Sequence, residues 1–139
     1  MKTFVFPGRY GSLERISHVI VEAATTAGFN DADVYAIQTA VDEACSNIID
    51  HAYGGQDLGD IEMQVSTSHN NITIVLHDQG RPFTPESVPL PDFKTDLQNR
   101  KERGLGLYFM RKLMDEVRFE FSEEGGNTLT LIKYKDKKG

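Results

Sequence analysis

Three shortages narrow what this 139-residue chain can be. Cysteine occurs once, at Cys45, so no disulfide framework is available, and no Cys/His spacing resembles a zinc site. A lone Cys on an apolar helix face reads as a core residue. Apolar runs are short, far below the roughly 20 residues of a membrane span, and Met1-Lys-Thr-Phe-Val-Phe-Pro7 is too brief for a signal peptide. The expected location is the cytoplasm. Positive charge is also scarce: 15 Lys and Arg against 21 Asp and Glu leave a formal charge of -6, which argues against nonspecific nucleic-acid binding. A macromolecular partner is expected to be protein. The length and a hydrophobic content of 39% suit a single domain, 1–139, with a core that needs no staples.

The strongest local pattern is a helix after Asn30. Asn30 suits an N-cap, Asp31 and Asp33 suit the positive end of the helix dipole, and Ile37, Val41, Ala44 and Ile48 repeat at the spacing of a buried stripe. Glu43 and Asn47 lie four residues apart, about 40° around the helix from one another, on the flank of that stripe. Two solvated polar residues would occupy such places equally well. On the edge of a cleft, however, a carboxylate there can act as a base and an amide oxygen can reach a hard cation.

The other elements alternate. Thr3 to Phe6 reads as a strand stopped by Pro7, and a helix runs from about Ser12 to Ala27, with Leu13, Ile16, Ile20, Ala23 and Ala27 inward and Gly28 at its end. Tyr53-Gly54-Gly55 reads as a turn. Ile61, Met63 and Val65, then Ile72, Ile74 and Leu76, alternate on either side of an Asn70-Asn71 turn and predict an antiparallel hairpin. Leu107, Met110, Leu113, Met114 and Val117 predict a third helix, and a second strand pair follows, with Val117, Phe119 and Phe121, the turn at Glu124-Gly125-Gly126-Asn127, and Thr128 to Tyr134. Residues 135–139 read as a frayed tail. Neighbouring strands with helices grouped between them predict an α+β fold, a two-layer sandwich with helices on one face of a mostly antiparallel mixed sheet.

Two further segments carry chemistry. Asp78-Gln79-Gly80 places an acid at a strand end and a glycine where backbone can approach a flat ligand, although Asp and Gly also serve plain turns. Residues 84–103 hold Pro85, Pro89 and Pro91 without an apolar period and read as a long loop or lid. It ends in Arg103-Gly104-Leu105-Gly106-Leu107, where glycines before a helix leave amides free to face phosphate oxygens.

Together, Glu43-Ala-Cys-Ser-Asn47 with Ile48-Ile49-Asp50-His51-Ala52-Tyr53, Asp78-Gln79-Gly80-Arg81-Pro82-Phe83, and Arg103-Gly104-Leu105-Gly106-Leu107-Tyr108 resemble the GHKL ATPase and kinase superfamily. More narrowly, they resemble the bacterial anti-sigma factor serine/threonine kinases, and Pro82, standing where the broader superfamily often has another glycine, favours that branch. The resemblance covers essentially the whole chain and implies the histidine-kinase-like (Bergerat) ATPase fold. It implies ATP and Mg2+ as ligands, Glu43 as general base and Asn47 as the magnesium ligand beside the phosphates. Asp78 would accept the adenine amino hydrogen bond, Gly80 would line the adenine slot and Thr128 would lie near the same ring. Arg103, Gly104, Leu105 and Gly106 would hold the phosphates. His51 reads as a structural histidine near the core flank.

The resemblance further implies a partner switch, in which the chain phosphorylates a STAS-type anti-sigma factor antagonist and sequesters a sigma factor, with a homodimer plausible. The competing reading is a nucleotide-gated binding module without phosphoryl transfer. Retention of both Glu43 and Asn47 favours the kinase, because a base has an evident use only if something is deprotonated.

Overall fold

The structure, a computed structural model, describes residues 1–81, 106–122 and 125–135. The long loop expected over 84–103, the site residues Arg103, Gly104 and Leu105, the turn residue Glu124 and the tail beyond Lys135 lie outside them.

Five strands form one sheet: β1 (Lys2–Pro7), β2 (Asp60–Thr67), β3 (Asn71–Asp78), β4 (Glu116–Ser122) and β5 (Gly126–Tyr134). Their order is β1-β2-β3-β5-β4, and every pairing is antiparallel, so the described sheet holds no parallel pair. Helices α1 (Leu13–Ala27), α2 (Asp31–Asn47) and α3 (Gly106–Leu113) complete the fold, with a short 3-10 turn at Tyr10–Ser12 and a wide π-helical segment, Ile48–Tyr53, extending α2.

Side-chain alternation decides which sheet face is covered. Phe6, Ile61, Met63, Val65, Ile72, Ile74, Leu76, Leu129 and Leu131 are buried with Ile16, Ile20 and Ala24 of α1 and Ile37, Val41 and Ala44 of α2 in one core. Each fully buried Ile or Leu contributes about 1.5 to 3 kcal/mol by leaving water, so this shared face dominates the stability of the fold. The opposite face carries polar and half-exposed side chains, Glu62, Gln64, Val75, His77 and Thr128, around an open groove of about 290 Å³.

The helix ends follow local chemistry. Asn30 caps α2, its side chain accepting from the Asp33 amide at 2.8 Å, and Gly28 ends α1 in the left-handed region at φ 97°. Two lysines at the C-terminal end of β5, Lys133 within it and Lys135 just beyond it, bind the free carbonyls at helix ends: Lys133 Nζ donates to Leu113 O at 2.7 Å, and Lys135 Nζ to Ala27 O at 2.6 Å.

Three expectations need correction. The third helix stops at Leu113, short of Met114 and Val117, and Val117 keeps only its place with Phe119 and Phe121 in β4, because the Asp115 amide is drawn to Ile132 O at 2.9 Å and its carboxylate accepts the Tyr134 amide at 2.7 Å. Sheet pairing thus overrides the helical apolar spacing. The hairpin turn occupies residues 68–70, and Asn71 already pairs with Tyr134. His51 is exposed and does not lie at the core flank, and its backbone carbonyl accepts from Arg81 Nε at 3.1 Å.

Candidate functional site

The end of β3 is built around one buried acid. Asp78 is the last residue of the strand and points to the helix-covered face, where it is 2% exposed. Its Oδ1 accepts from the Gly80 amide at 2.8 Å and from Asn127 Nδ2 at 2.9 Å. Burial pushes the Asp78 carboxyl above the ordinary carboxylate range, while these hydrogen bonds and nearby His77 pull the other way. A half-satisfied, desolvated carboxylate at a strand end is a good acceptor for a ligand N–H.

The following turn is held against the extension of α2. Arg81 N donates to Ala52 O at 2.9 Å, Arg81 Nε to His51 O at 3.1 Å, and Gln79 N to the Tyr53 hydroxyl at 3.0 Å. Tyr53 in turn donates to Asp60 O at 2.5 Å. Carbonyls near a helix end have no partner within the helix, and Arg81 uses two of them as anchors. The π segment that presents them is an irregularity often associated with functional sites.

Two glycines permit this packing. A Cβ on Gly80 would lie 2.6 Å from the Ala52 carbonyl group, so this glycine is required by the helix extension irrespective of any ligand. Gly126 has φ +80°, and a Cβ there would lie 2.0 Å from Asp78 O.

Glu43 and Asn47 are both half-buried on α2, in keeping with the flank expected of them. Asn47 ends the regular helix, and His51, whose carbonyl holds Arg81, follows one turn later. Between Glu43 and Asn47, Cys45 is fully buried, and its thiol is pushed up to about 12 by burial and then by the Asp42 charge, so it is an inert core residue. Gly106 is the first residue of α3, which packs against α2.

Thr128 is on the wrong side. It belongs to the exposed face, its Oγ1 3.0 Å from His77 Nδ1, and lines the open groove there. The inward neighbour of Asp78 is Asn127, 1% exposed and paired directly with it in register. Its parity could have been read from Leu129 and Leu131, since residues two apart share a face.

A family model for the histidine kinase-like ATPase domain matches residues 6–133. Relatives named serine-protein kinase RsbW include one from Halalkalibacterium halodurans, 34% identical over 115 residues that span 80% of this chain and 68% of the relative. Another, from Bacillus licheniformis, is 29% identical over 123 residues, spanning 80% of this chain and 71% of the relative. Among solved structures, the RsbU and RsbW domains of Rv1364c from Mycobacterium tuberculosis superimpose with a TM-score of 0.65 at 17% identity, over 96% of this chain and 32% of that one. The nucleotide-free catalytic domain of histidine kinase ThkA gives 0.56 at 19% identity, over 97% and 98%. The chain belongs to the histidine kinase-like ATPase domain family, in its branch of RsbW-type serine-protein kinases.

Proposed function

We propose that this protein is an ATP-dependent protein serine/threonine kinase that uses the cleft between α2, the end of β3 and the start of α3. The observation that carries the reading is Asp78: an acid buried at a strand end, hydrogen-bonded on Oδ1, in a chain whose family match spans residues 6–133. Asp78 accepts an N–H of the adenine ring, and Gly80 leaves its turn low enough to keep the slot open. Gly104, Leu105 and Gly106 offer backbone amides to the phosphates, and Arg103 adds a positive charge.

Glu43 takes the proton from the attacking serine or threonine hydroxyl, and its half-buried place on α2 shields it from bulk water. Asn47 would hold magnesium through its side-chain oxygen. Magnesium commonly takes one or two protein oxygens and completes its shell with water and phosphate, which suits a chain with no cluster of three His, Cys, Asp or Glu among its described residues. When bound, the ion neutralises phosphate charge.

The names of the relatives support a protein substrate, and the motif resemblance extends the reading to a small STAS-type antagonist, to a sigma factor as the sequestered partner and to the cytoplasm. No helix among the described residues is long and apolar enough to cross a membrane.

Incubation with labelled ATP and an antagonist protein tests transfer. Glu43→Ala is expected to lower phosphoprotein formation by about a hundredfold or more while leaving ATP affinity within about twofold. Undiminished transfer by that variant would remove Glu43 as the base, and absence of ATP binding by the native chain would remove the nucleotide reading.

A further inference from the structure

The β2-β3 ladder ends one rung early. Its last register pair at this end is Ile61 with Asp78, although β2 continues to Asp60, which pairs with Pro7 of β1; one residue further along β3, Asp60 would face Gln79. Backbone groups of successive strand residues point to opposite sides, and the Gly8 amide takes the Gly59 carbonyl at 2.8 Å on the β1 side, so the Asp60 carbonyl faces β3. The Tyr53 hydroxyl stands in that rung. It donates to Asp60 O at 2.5 Å and accepts from Gln79 N at 3.0 Å, so a side chain occupies the place of one backbone bond. Burial pushes the Tyr53 hydroxyl above its ordinary value, the Gln79 amide opposes this and the Asp78 and Asp60 charges add to it, so the group stays protonated and keeps its donor.

The ring is closely seated. A Cβ on Gly59 would lie 2.2 Å from Tyr53 Cε1, and one on Gly8 would lie 3.4 Å from Tyr53 Cδ2. A phenylalanine would fill the same space, so packing explains the ring and leaves the hydroxyl unexplained. The segment that carries Tyr53 also supplies Ala52 O and His51 O to Arg81. One short stretch of chain thus holds residues 79–81 off β2 and against itself.

We infer that Tyr53 is a positioning residue of the nucleotide site, its hydroxyl a spacer that stops the β2-β3 ladder at Asp78 and frees Gln79, Gly80 and Arg81 to lie on the π segment. Without the spacer the Gln79 amide reaches Asp60 O directly, the ladder gains a rung, and the Gly80 turn is drawn away from Ala52. Tyr53 acts through that turn and not on the nucleotide. The inference rests on the ATP reading above and adds to it a residue that shapes the site from behind.

Calorimetry with ATP and amide hydrogen exchange, both on the full chain with folding checked by thermal melting, test it. Tyr53→Phe keeps the ring and removes only the spacer. ATP affinity is expected to fall about tenfold, the worth of one hydrogen bond, and the Arg81 amide, released from Ala52 O, should exchange about tenfold faster or more. Ile20→Val trims the core at α1 and lowers the melting point, yet it should leave both readings near native values, which separates positioning from lost stability. Native ATP affinity and native Arg81 protection in folded Tyr53→Phe would mean that water fills the rung equally well, and would overturn the inference. A change in only one of the two readings would also overturn it, because the hydroxyl would then not act on the nucleotide through the turn. A native chain that binds no ATP would defeat the nucleotide reading itself, and the positioning role with it.

Discussion

The register pairs His77 with Thr128 and Asp78 with Asn127 are adjacent rungs of the same two strands, yet they belong to different chemistries. The first rung faces the open side of the sheet, half-exposed, its His and Thr joined side by side. The second faces the helices, almost wholly buried, and holds an acid, an amide and an unpaired oxygen. A translation of one residue along a strand separates a surface contact from a site. Strand parity, more than residue type, decides membership, since Thr and Asn are equally able to hydrogen-bond.

The comparison breaks most completely at Gly126. Gly126→Ala would place a methyl 2.0 Å from Asp78 O in a backbone of φ +80°, so either the strand or the acid must move. The expected cost is about 3 kcal/mol or more from overpacking and left-handed strain together, read as a lower denaturation midpoint, with ATP binding lost as the buried rung opens. A variant of native stability would show that the two strand ends do not approach as described. Gly80→Ala should cost somewhat less, about 1 to 3 kcal/mol, because it meets the Ala52 carbonyl without a positive φ to worsen it.

Asp78→Asn sharpens the contrast by removing charge while keeping shape. ATP affinity should fall by about 2 kcal/mol, the worth of a hydrogen bond to a charged acceptor. The fold should gain about 1 kcal/mol, because a desolvated carboxylate is no longer buried. The pH dependence has a definite sign. The folded Asp78 carboxyl lies above its unfolded value, so its effect on the fold is harmless below the ordinary carboxylate range and becomes a penalty as pH rises through the raised folded value. The stability gap between Asp78→Asn and the native chain should therefore widen with rising pH across that window, as melting curves would show. Nucleotide binding runs the opposite way and weakens as pH falls through the same window. A gap independent of pH would mean that Asp78 is not desolvated.

Much of the fold could be read before any coordinates, for a physical reason: α1, α2 and the β2-β3 hairpin each bury one stripe, and a stripe has a period. The Asn30 cap and the Gly28 stop are local chemistry and were equally readable. The α3 boundary was not, because Asp115 is pulled into the sheet by Ile132 and Tyr134, residues remote in sequence. Of the site, Asp78 and Gly80 stand out by residue type at a strand end. The π segment and its use of Tyr53, His51 and Ala52 to anchor residues 79–81 depend on a tertiary contact that no periodicity announces. Asn127 is the intermediate case: its parity is in plain view beside Leu129 and Leu131, while the family resemblance implies Thr128 instead.

The smallest effect is expected on the exposed rung, and it bears most directly on where the site lies. Thr128→Val removes the hydroxyl that meets His77 Nδ1 at 3.0 Å while keeping a β-branched side chain suited to a strand. Exposed polar contacts are largely replaced by water, so stability should change by less than about 0.5 kcal/mol. With Thr128 on the face opposite Asp78, ATP affinity should stay within about twofold of native, against the large loss expected at the buried rung. A loss approaching that of Asp78→Asn, measured by calorimetry, would mean that the ligand reaches the outer face of the sheet, and parity would no longer divide surface from site.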